Sequence, residues 1–240
     1  MFDLLAVLGR GIQLRSEDVP SCWVPTEYLE VYEAPSDNLE AGHSPVRLPI
    51  DDLNPLCMIG GGEMNLLASM EFYKNKRHCP ELVVFAYSSR AKYLRLDDAP
   101  SESEVMSELF CREFSDANVV TWTKDMDVPG PSNTYTELQN IFTLAVERRL
   151  TSVGIVTVSV HLPRSMVLAQ RHLEQPEFEH LAVRYFRSEQ VLYTANPTTY
   201  WPIYERVLGS KALRRNLERE MHNIAMSTTN VFGDEKSFFA

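Results

Sequence analysis

Short apolar runs alternate with amphipathic segments along most of this chain, and this alternation constrains the fold more than any other feature. Runs with the length and composition of buried strands lie at Leu4–Leu8, Leu82–Tyr87, Val119–Trp122 and Val153–Val160. The segments between them carry apolar residues at helical spacing. Strands that alternate with helices pair in parallel through right-handed crossovers. The sequence therefore predicts a three-layer α/β fold, with a mainly parallel sheet and helices on both faces.

The predicted helices have recognisable starts. Ser101 followed by Glu104 is a capping-box signature, and Pro163 suits the first turn of a helix. Two late strands complete the pattern. The predicted helices are Glu63–Asn75, Ser101–Phe114, Ser132 or Asn133 to Arg149, Pro163 to about Leu173 and Lys211–Met226, and the late strands are Phe178–Tyr185 and Val191–Ala195.

A chain of 240 residues with 44% hydrophobic side chains can bury one sizeable core. We expect a single α/β domain over residues 1–226 and a polar tail over 227–240. Residues 12–58 hold six prolines and form an insertion that excludes long helices, although Tyr28–Tyr32 alternates like a short strand. An insertion of this length is usually functional, for example as a lid.

Charge and cysteine content limit the partners. A formal net charge of −10 argues against binding to nucleic acid or to anionic membranes, which both need clustered Lys and Arg. The four cysteines form no C-x-x-C pair, so we expect scattered reduced thiols and no structural zinc, although a divalent metal at Glu63 and Glu102 stays open. The apolar run near the N-terminus is too short for a signal peptide or a membrane anchor. These features predict a cytoplasmic protein without membrane attachment; its oligomeric state stays open.

The strongest candidate site follows the strand at Val153–Val160. That strand runs directly into His161 and Arg164, and the carboxyl edge of an open α/β sheet is where such folds bind ligands. An arginine in a first helical turn opposes the helix dipole, so we expect it to bind an acidic ligand or a partner such as Glu102.

Two glycine segments are further candidates. Gly9-Arg10-Gly11 follows the first strand, where backbone N–H groups could approach a phosphate, although a plain tight turn is equally compatible. The run centred on Gly61 opens a helix, where it could bind an anion or act as a hinge.

Two helix starts add polar groups to the same edge. Glu102 lies in a first turn, where a carboxylate stabilises the helix but could also reach Arg10 or His161. Asn133 and Thr134 open another helix, and they suit either a cap or contacts to a phosphate or carboxylate.

These segments resemble one family when taken together. The chain contains L-G-R-G at Leu8–Gly11, E-x-x-x-M at Glu102–Met106, S-N-T followed by Glu137, and T-V-S-V-H-L-P-R at Thr157–Arg164. In this order they resemble the YdcF/SanA/ElyC-like family, a family of unknown function, over about residues 3–173.

The resemblance implies a Rossmann-like domain and a site that combines the glycine loop with polar residues from three helix starts. One family member is described as binding S-adenosylmethionine, and others are linked to the bacterial cell envelope. The positions that match the family's motif residues are Gly9, Gly11, Glu102, Asn133, Thr134, His161 and Arg164.

Two functions remain open at this point. The first is an enzyme that acts on a phosphorylated or nucleotide-like small molecule, with His161 and Glu102 as acid and base and with Arg10 and Arg164 binding the anion. The second is a non-catalytic module that binds S-adenosylmethionine or a nucleotide. A methyltransferase is disfavoured because the strand at Leu82–Tyr87 ends in Ser-Ser-Arg rather than in an acidic residue.

Overall fold

The computed structural model describes residues 2–15, 22–26, 30–33, 47–49, 57–75, 79–87, 100–123 and 133–228. Strands and helices alternate through these segments. The strands are β1 Leu4–Val7, β2 Ile12–Arg15, β3 Cys22–Pro25, β4 Glu30–Glu33, β5 Arg47–Pro49, β6 Cys57–Ile59, β7 Leu82–Phe85, β8 Val119–Val120, β9 Ser152–Thr157 and β10 Ala182–Arg187. The helices are α1 Gly62–Lys74, α2 Glu102–Glu113, α3 Thr134–Glu147, α4 Leu162–Leu173, α5 Ser188–Ala195, α6 Pro197–Leu208 and α7 Lys211–Thr228.

The main sheet has five parallel strands in the order β10-β9-β1-β7-β8. Leu5 of β1 lies opposite Val83 on one side and Gly154 on the other. Counted along the chain, this is the strand order 3-2-1-4-5 of a Rossmann-like sheet, in which the winding direction reverses between the first and fourth strands. The structure thus confirms the predicted α/β class and places the reversal between β1 and β9.

Side chains alternate between the two faces of the sheet, as the strand period requires. On one face Leu5, Val7 and Phe85 pack against α1 and α2. On the other face Leu4 and Ala6 pack against α3 and α4. Both faces are therefore covered by helices, which explains why β1 is buried along its full length.

The prediction of a strand at Val191–Ala195 is wrong, because these residues form the end of α5. The apolar run V-L-Y suggested a strand, but the buried residues of α5 are Ser188, Glu189 and Leu192, at helical spacing. The preceding strand, predicted at Phe178–Tyr185, begins at Ala182. Helix α6 follows a cap by Asn196 and was not predicted.

Parts of the predicted insertion form small antiparallel sheets. β2 pairs with β3, and β4 lies between β5 and β6. The strand predicted at Tyr28–Tyr32 overlaps β4. At the other end of the chain, α7 continues to Thr228, two residues into the predicted polar tail, and the rest of that tail lies outside the described residues. Among the helices that the structure describes, none has the length and apolar character that a membrane crossing needs.

Candidate functional site

The candidate site lies where the sheet reverses direction. The loop Gly9–Gly11 follows β1, and His161 follows β9 in the segment that opens α4. Glu102 and Thr134 are the first residues of α2 and α3, which begin at the same edge. The carboxyl ends of the two central strands and the starts of three helices thus converge, as in the ligand sites of open α/β sheets.

Glu102 occupies the glycine loop. Its Oε1 accepts hydrogen bonds from the backbone N–H groups of Arg10, at 2.7 Å, and Gly11, at 2.8 Å. A Cβ atom at Gly9 would lie 2.7 Å from Oε2 of the same carboxylate. The N–H groups that the sequence offered to a phosphate therefore bind an internal carboxylate. A side chain at Gly9 would force this carboxylate to move away from its two N–H donors.

The start of α2 is fixed by its cap. The Ser101 side chain accepts from the Glu104 N–H, and the Glu104 carboxylate accepts from the Ser101 N–H, so the predicted capping box is confirmed. Ser101 Oγ also donates to the carbonyl of Trp122, just beyond β8. This double attachment positions the neighbouring Glu102 rigidly against the glycine loop.

Gly61 allows a close contact with Val158 and a positive φ angle. Its φ is +134°, and a Cβ there would lie 2.7 Å from a methyl of Val158. The N–H groups of Gly62 and Glu63 at the start of α1 donate to Thr26. Because these donors are used within the protein, the structure gives Gly61 a backbone role and does not bring it into the polar cluster described next.

Two pairs of residues face each other across the starts of α3 and α4. Thr134 and Glu137 are three residues apart on α3, and His161 and Arg164 are three residues apart at the start of α4, so each pair shares a helix face. Thr134 Oγ1 lies 3.3 Å from His161 Nε2 and accepts a hydrogen bond from Arg164 Nη2 at 3.1 Å. The structure thus brings the predicted pair His161 and Arg164 together with Thr134.

Asn133 caps α3, as predicted. Its side-chain oxygen accepts from the Thr136 N–H and the Thr136 hydroxyl. Asn133 is exposed, beside the buried Thr134. Its amide therefore marks the solvent side of the cluster.

Glu220 of α7 is the residue that the sequence did not reveal. Its Oε2 forms an ion pair with Arg164 Nε at 2.9 Å, and its Oε1 lies 3.5 Å from His161 Nδ1. Arg164 therefore has an acidic partner, as expected, but the partner is Glu220 rather than Glu102. The sequence shows only that Ala212, Asn216 and Glu220 are spaced four residues apart on a predicted helix, and the structure buries all three.

Burial dominates the proton affinity of His161. Burial lowers the pKa of His161, the hydrogen bond and charge of Glu220 oppose this, and the charges of Arg164 and Arg10 add to the lowering, so that the pKa falls to about 4. Burial would raise the pKa of Glu220, but the hydrogen bond with His161 and the positive charges of Arg164 and Arg10 lower it overall. At neutral pH the cluster holds an uncharged imidazole beside an ionised carboxylate.

Glu137 is a second buried acid. Burial and the neighbouring Glu102 charge raise the pKa of Glu137 to about 8, although Arg164 and Arg10 act in the opposite direction. The carboxyl group of Glu137 is therefore mostly protonated at pH 7. The sequence placed Glu137 only within the family-like motif and gave it no role.

Other candidate groups lie apart from this cluster. His172 is fully buried, stacks on Tyr135 and contacts its carbonyl oxygen at 2.9 Å, so it is a packing residue, as expected. Among the described residues, no three His, Cys, Asp or Glu side chains converge as a metal site would require. The described thiols of Cys22, Cys79 and Cys111 are not in disulfides.

No protein-family model matches the chain, and no curated protein or solved structure matches it either. The resemblance to the YdcF/SanA/ElyC-like family therefore stays a prediction that rests on the quoted motifs. The geometry stands independently of it. A neutral imidazole and a protonated carboxylic acid are both buried at this sheet edge, and the charges of Arg164 and Arg10 act on both; groups in these protonation states are suited to general acid–base chemistry.

Proposed function

We propose that this chain is a YdcF-like enzyme that acts on a phosphorylated or nucleotide-like small molecule at the carboxyl edge of its sheet. The observation that carries the proposal is the opposite displacement of two pKa values, that of His161 to about 4 and that of Glu137 to about 8. Titratable groups whose environments separate their pKa values in this way mark acid and base roles.

The two roles follow from protonation state at neutral pH. His161 is uncharged and can accept a proton as general base. Glu137 holds a proton in the same cluster and can donate it as general acid. Glu102, which the sequence suggested as acid or base, holds the glycine loop through two backbone hydrogen bonds instead. In this proposal it shapes the site.

Arg10 and Arg164 supply positive charge for an anionic substrate. Both guanidinium groups act electrostatically on Glu137 and His161, so they lie near the acid and the base. Arg164 is 24% exposed at its side chain, and it is held by Glu220 on one side. A substrate phosphate that reaches Arg164 from the solvent side would give this arginine a second acidic partner, which carries more negative charge than Glu220.

The alternative is a non-catalytic module that binds S-adenosylmethionine or a nucleotide. The carboxylates of Glu102 and Glu220 favour it, because a ligand with an ammonium or sulfonium group gains from nearby acids. In that case His161 and Arg164 only hold the ligand. Turnover separates the two functions, since a binding module releases its ligand unchanged.

The first test is a thermal-shift screen of the whole chain against nucleotides, S-adenosylmethionine and sugar phosphates. A ligand present at 100 times its dissociation constant stabilises the fold by about 2.7 kcal/mol. We expect a stabilising ligand whose effect is lost in Arg164→Ala and kept in Arg112→Ala, an exposed arginine at the far end of α2. No response to any anionic compound would reject the proposed substrate class.

The second test is turnover of the compound found in the screen. His161→Ala should abolish it, whereas His180→Ala, at an exposed position, should leave it unchanged. Circular dichroism should show that both variants are folded. Full turnover by His161→Ala would show that His161 is not the base.

A further inference from the structure

A hydroxyl group, an imidazole and a carboxylate lie in line across three helices. Thr134 Oγ1 is 3.3 Å from His161 Nε2, and Glu220 Oε1 is 3.5 Å from His161 Nδ1. All three residues are buried. This is the order of groups that activates a hydroxyl nucleophile, and the distances fall in the looser range seen when no substrate is bound.

The direction of the hydrogen bonds can be argued from chemistry. An ionised carboxylate only accepts, so Glu220 favours a proton on Nδ1 of His161. Nε2 then carries the lone pair, and it faces the Thr134 hydroxyl. Arg164 Nη2 also lies 3.4 Å from Nδ1, but a hydrogen bond donated there would place the Glu220 carboxylate beside a bare lone pair.

The Thr134 hydroxyl is not needed to cap α3. Asn133 performs that function through the Thr136 N–H. Thr134 instead accepts from Arg164, whose charge stabilises negative charge on the hydroxyl oxygen. Its place at the first turn of α3 adds the favourable end of the helix dipole.

We propose that Thr134 is the nucleophile of a two-step phosphoryl transfer, with His161 as its base and Glu220 as the residue that positions His161. This inference rests on the proposed function, because it assigns the reaction type for the same site and the same phosphorylated substrate. It adds a covalent step and two residues to the acid–base pair.

In the first step Oγ1 of Thr134 attacks phosphorus, and the bond from phosphorus to the leaving oxygen breaks. The hydroxyl proton passes to His161 Nε2, and the leaving oxygen takes the proton of Glu137. In the second step a water oxygen attacks phosphorus and the bond to Oγ1 breaks. The water gives one proton to Glu137, and Oγ1 recovers its proton from His161. The sum is hydrolysis of one phosphate ester, with the protein unchanged.

The test uses a fluorophosphonate, a reagent that reports an activated hydroxyl without knowledge of the substrate. Oγ1 of Thr134 forms a bond to phosphorus, the bond from phosphorus to fluorine breaks, fluoride leaves, and His161 takes the hydroxyl proton. Peptide mass spectrometry of the labelled whole chain should locate one adduct on Thr134. We expect no adduct in Thr134→Val or His161→Ala.

Two variants distinguish a nucleophile from a structural hydroxyl. Thr134→Ser keeps the hydroxyl and should be labelled, and Thr143→Val, at an exposed threonine of the same helix, should be labelled like the unaltered chain. Glu220→Gln should slow labelling by roughly 100-fold or more, as expected when the orienting carboxylate of such a triad is lost. Urea unfolding of each variant checks that the fold is retained.

The inference fails if the unaltered chain gives no adduct on Thr134, or if Thr134→Val turns over the compound from the screen at the normal rate. The second result would leave the proposed function intact, provided that turnover still depends on His161. If Thr134 is labelled but no anionic compound stabilises the protein, Thr134 is still the nucleophile and the phosphorylated substrate class is rejected.

Discussion

At the scale of single residues, the site depends on two carboxyl groups in different surroundings. Glu102 accepts hydrogen bonds from two backbone N–H groups, whereas burial raises the pKa of Glu137 to about 8 and keeps it mostly protonated at neutral pH. The sequence could predict that Glu102 would reach Arg10, because both follow neighbouring strands at one edge. It could not predict the protonation of Glu137, which depends on how completely distant segments bury it.

The first prediction concerns pH and Glu137→Gln. The pKa of Glu137 is raised from 4.5 to about 8, so the folded chain retains a proton that the unfolded chain releases over this interval. Glu137 therefore adds to the free energy of unfolding below the unfolded-state pKa, and this contribution is lost as pH rises toward 8. The lowered pKa of His161 acts oppositely, with stability lost as pH falls from 6.5 toward 4.

Glutamine resembles the protonated acid but cannot ionise. We expect Glu137→Gln to remove the loss of stability between about pH 5 and about pH 8 and to leave the acid-side loss from His161 in place. Urea midpoints measured across this range provide the comparison. If the urea midpoints of the variant and of the unaltered chain changed with pH in the same way, Glu137 would be ionised at neutral pH.

The second prediction is a substitution in the glycine loop. In Gly9→Ala the new Cβ would lie 2.7 Å from Oε2 of Glu102, so the carboxylate must move away from its two N–H donors. We expect a loss of about 1–3 kcal/mol in the free energy of unfolding, the range for overpacking a buried site. Gly209→Ala is the control, because its nearest neighbouring atoms are 3.9 Å away. Equal effects of both substitutions would contradict the contact.

At the scale of elements, contacts between residues close in the sequence were predictable, whereas contacts between distant segments were not. The capping box at Ser101 and the cap at Asn133 were visible because the interacting residues are three positions apart. Helix α5 was mistaken for a strand, since its buried face is set by contacts with α1 far away in the sequence. The same reason hid Glu220, whose partners lie more than 50 residues earlier.

The third prediction tests how α7 is attached. Glu220→Ala removes one partner of a buried ion pair and leaves Arg164 uncompensated. We expect the free energy of unfolding to fall by about 3 kcal/mol, the lower end of the range for such pairs because Arg164 is partly exposed. Glu218→Ala, at an exposed position of the same helix, should change it by less than about 0.5 kcal/mol. A Glu220→Ala effect as small as the control would show that the pair does not hold α7.

At the scale of the whole molecule, the alternation of strands and helices was enough to predict the fold class but not the strand order. Parallel pairing follows from the helices between strands, whereas the order β10-β9-β1-β7-β8 depends on which face each crossover covers. That order shapes the candidate site, because the winding reverses between β1 and β9 and Glu102, Thr134 and His161 approach the same edge from three helix starts. The site is thus a consequence of topology that no single motif contains.

The fourth prediction concerns how stability is distributed over this topology. β1 lies at the centre of the sheet with all four residues buried, whereas Val207 is the one buried residue of α6. We expect the amides of Leu5 and Val7 to exchange with solvent only through global unfolding, and those of α6 through much smaller openings. Native-state hydrogen exchange at increasing urea distinguishes global unfolding from local opening. Global unfolding exposes more surface, so the free energy of exchange falls more steeply with urea. Equal protection in β1 and α6 would mean that α6 belongs to the same cooperative unit as the central sheet.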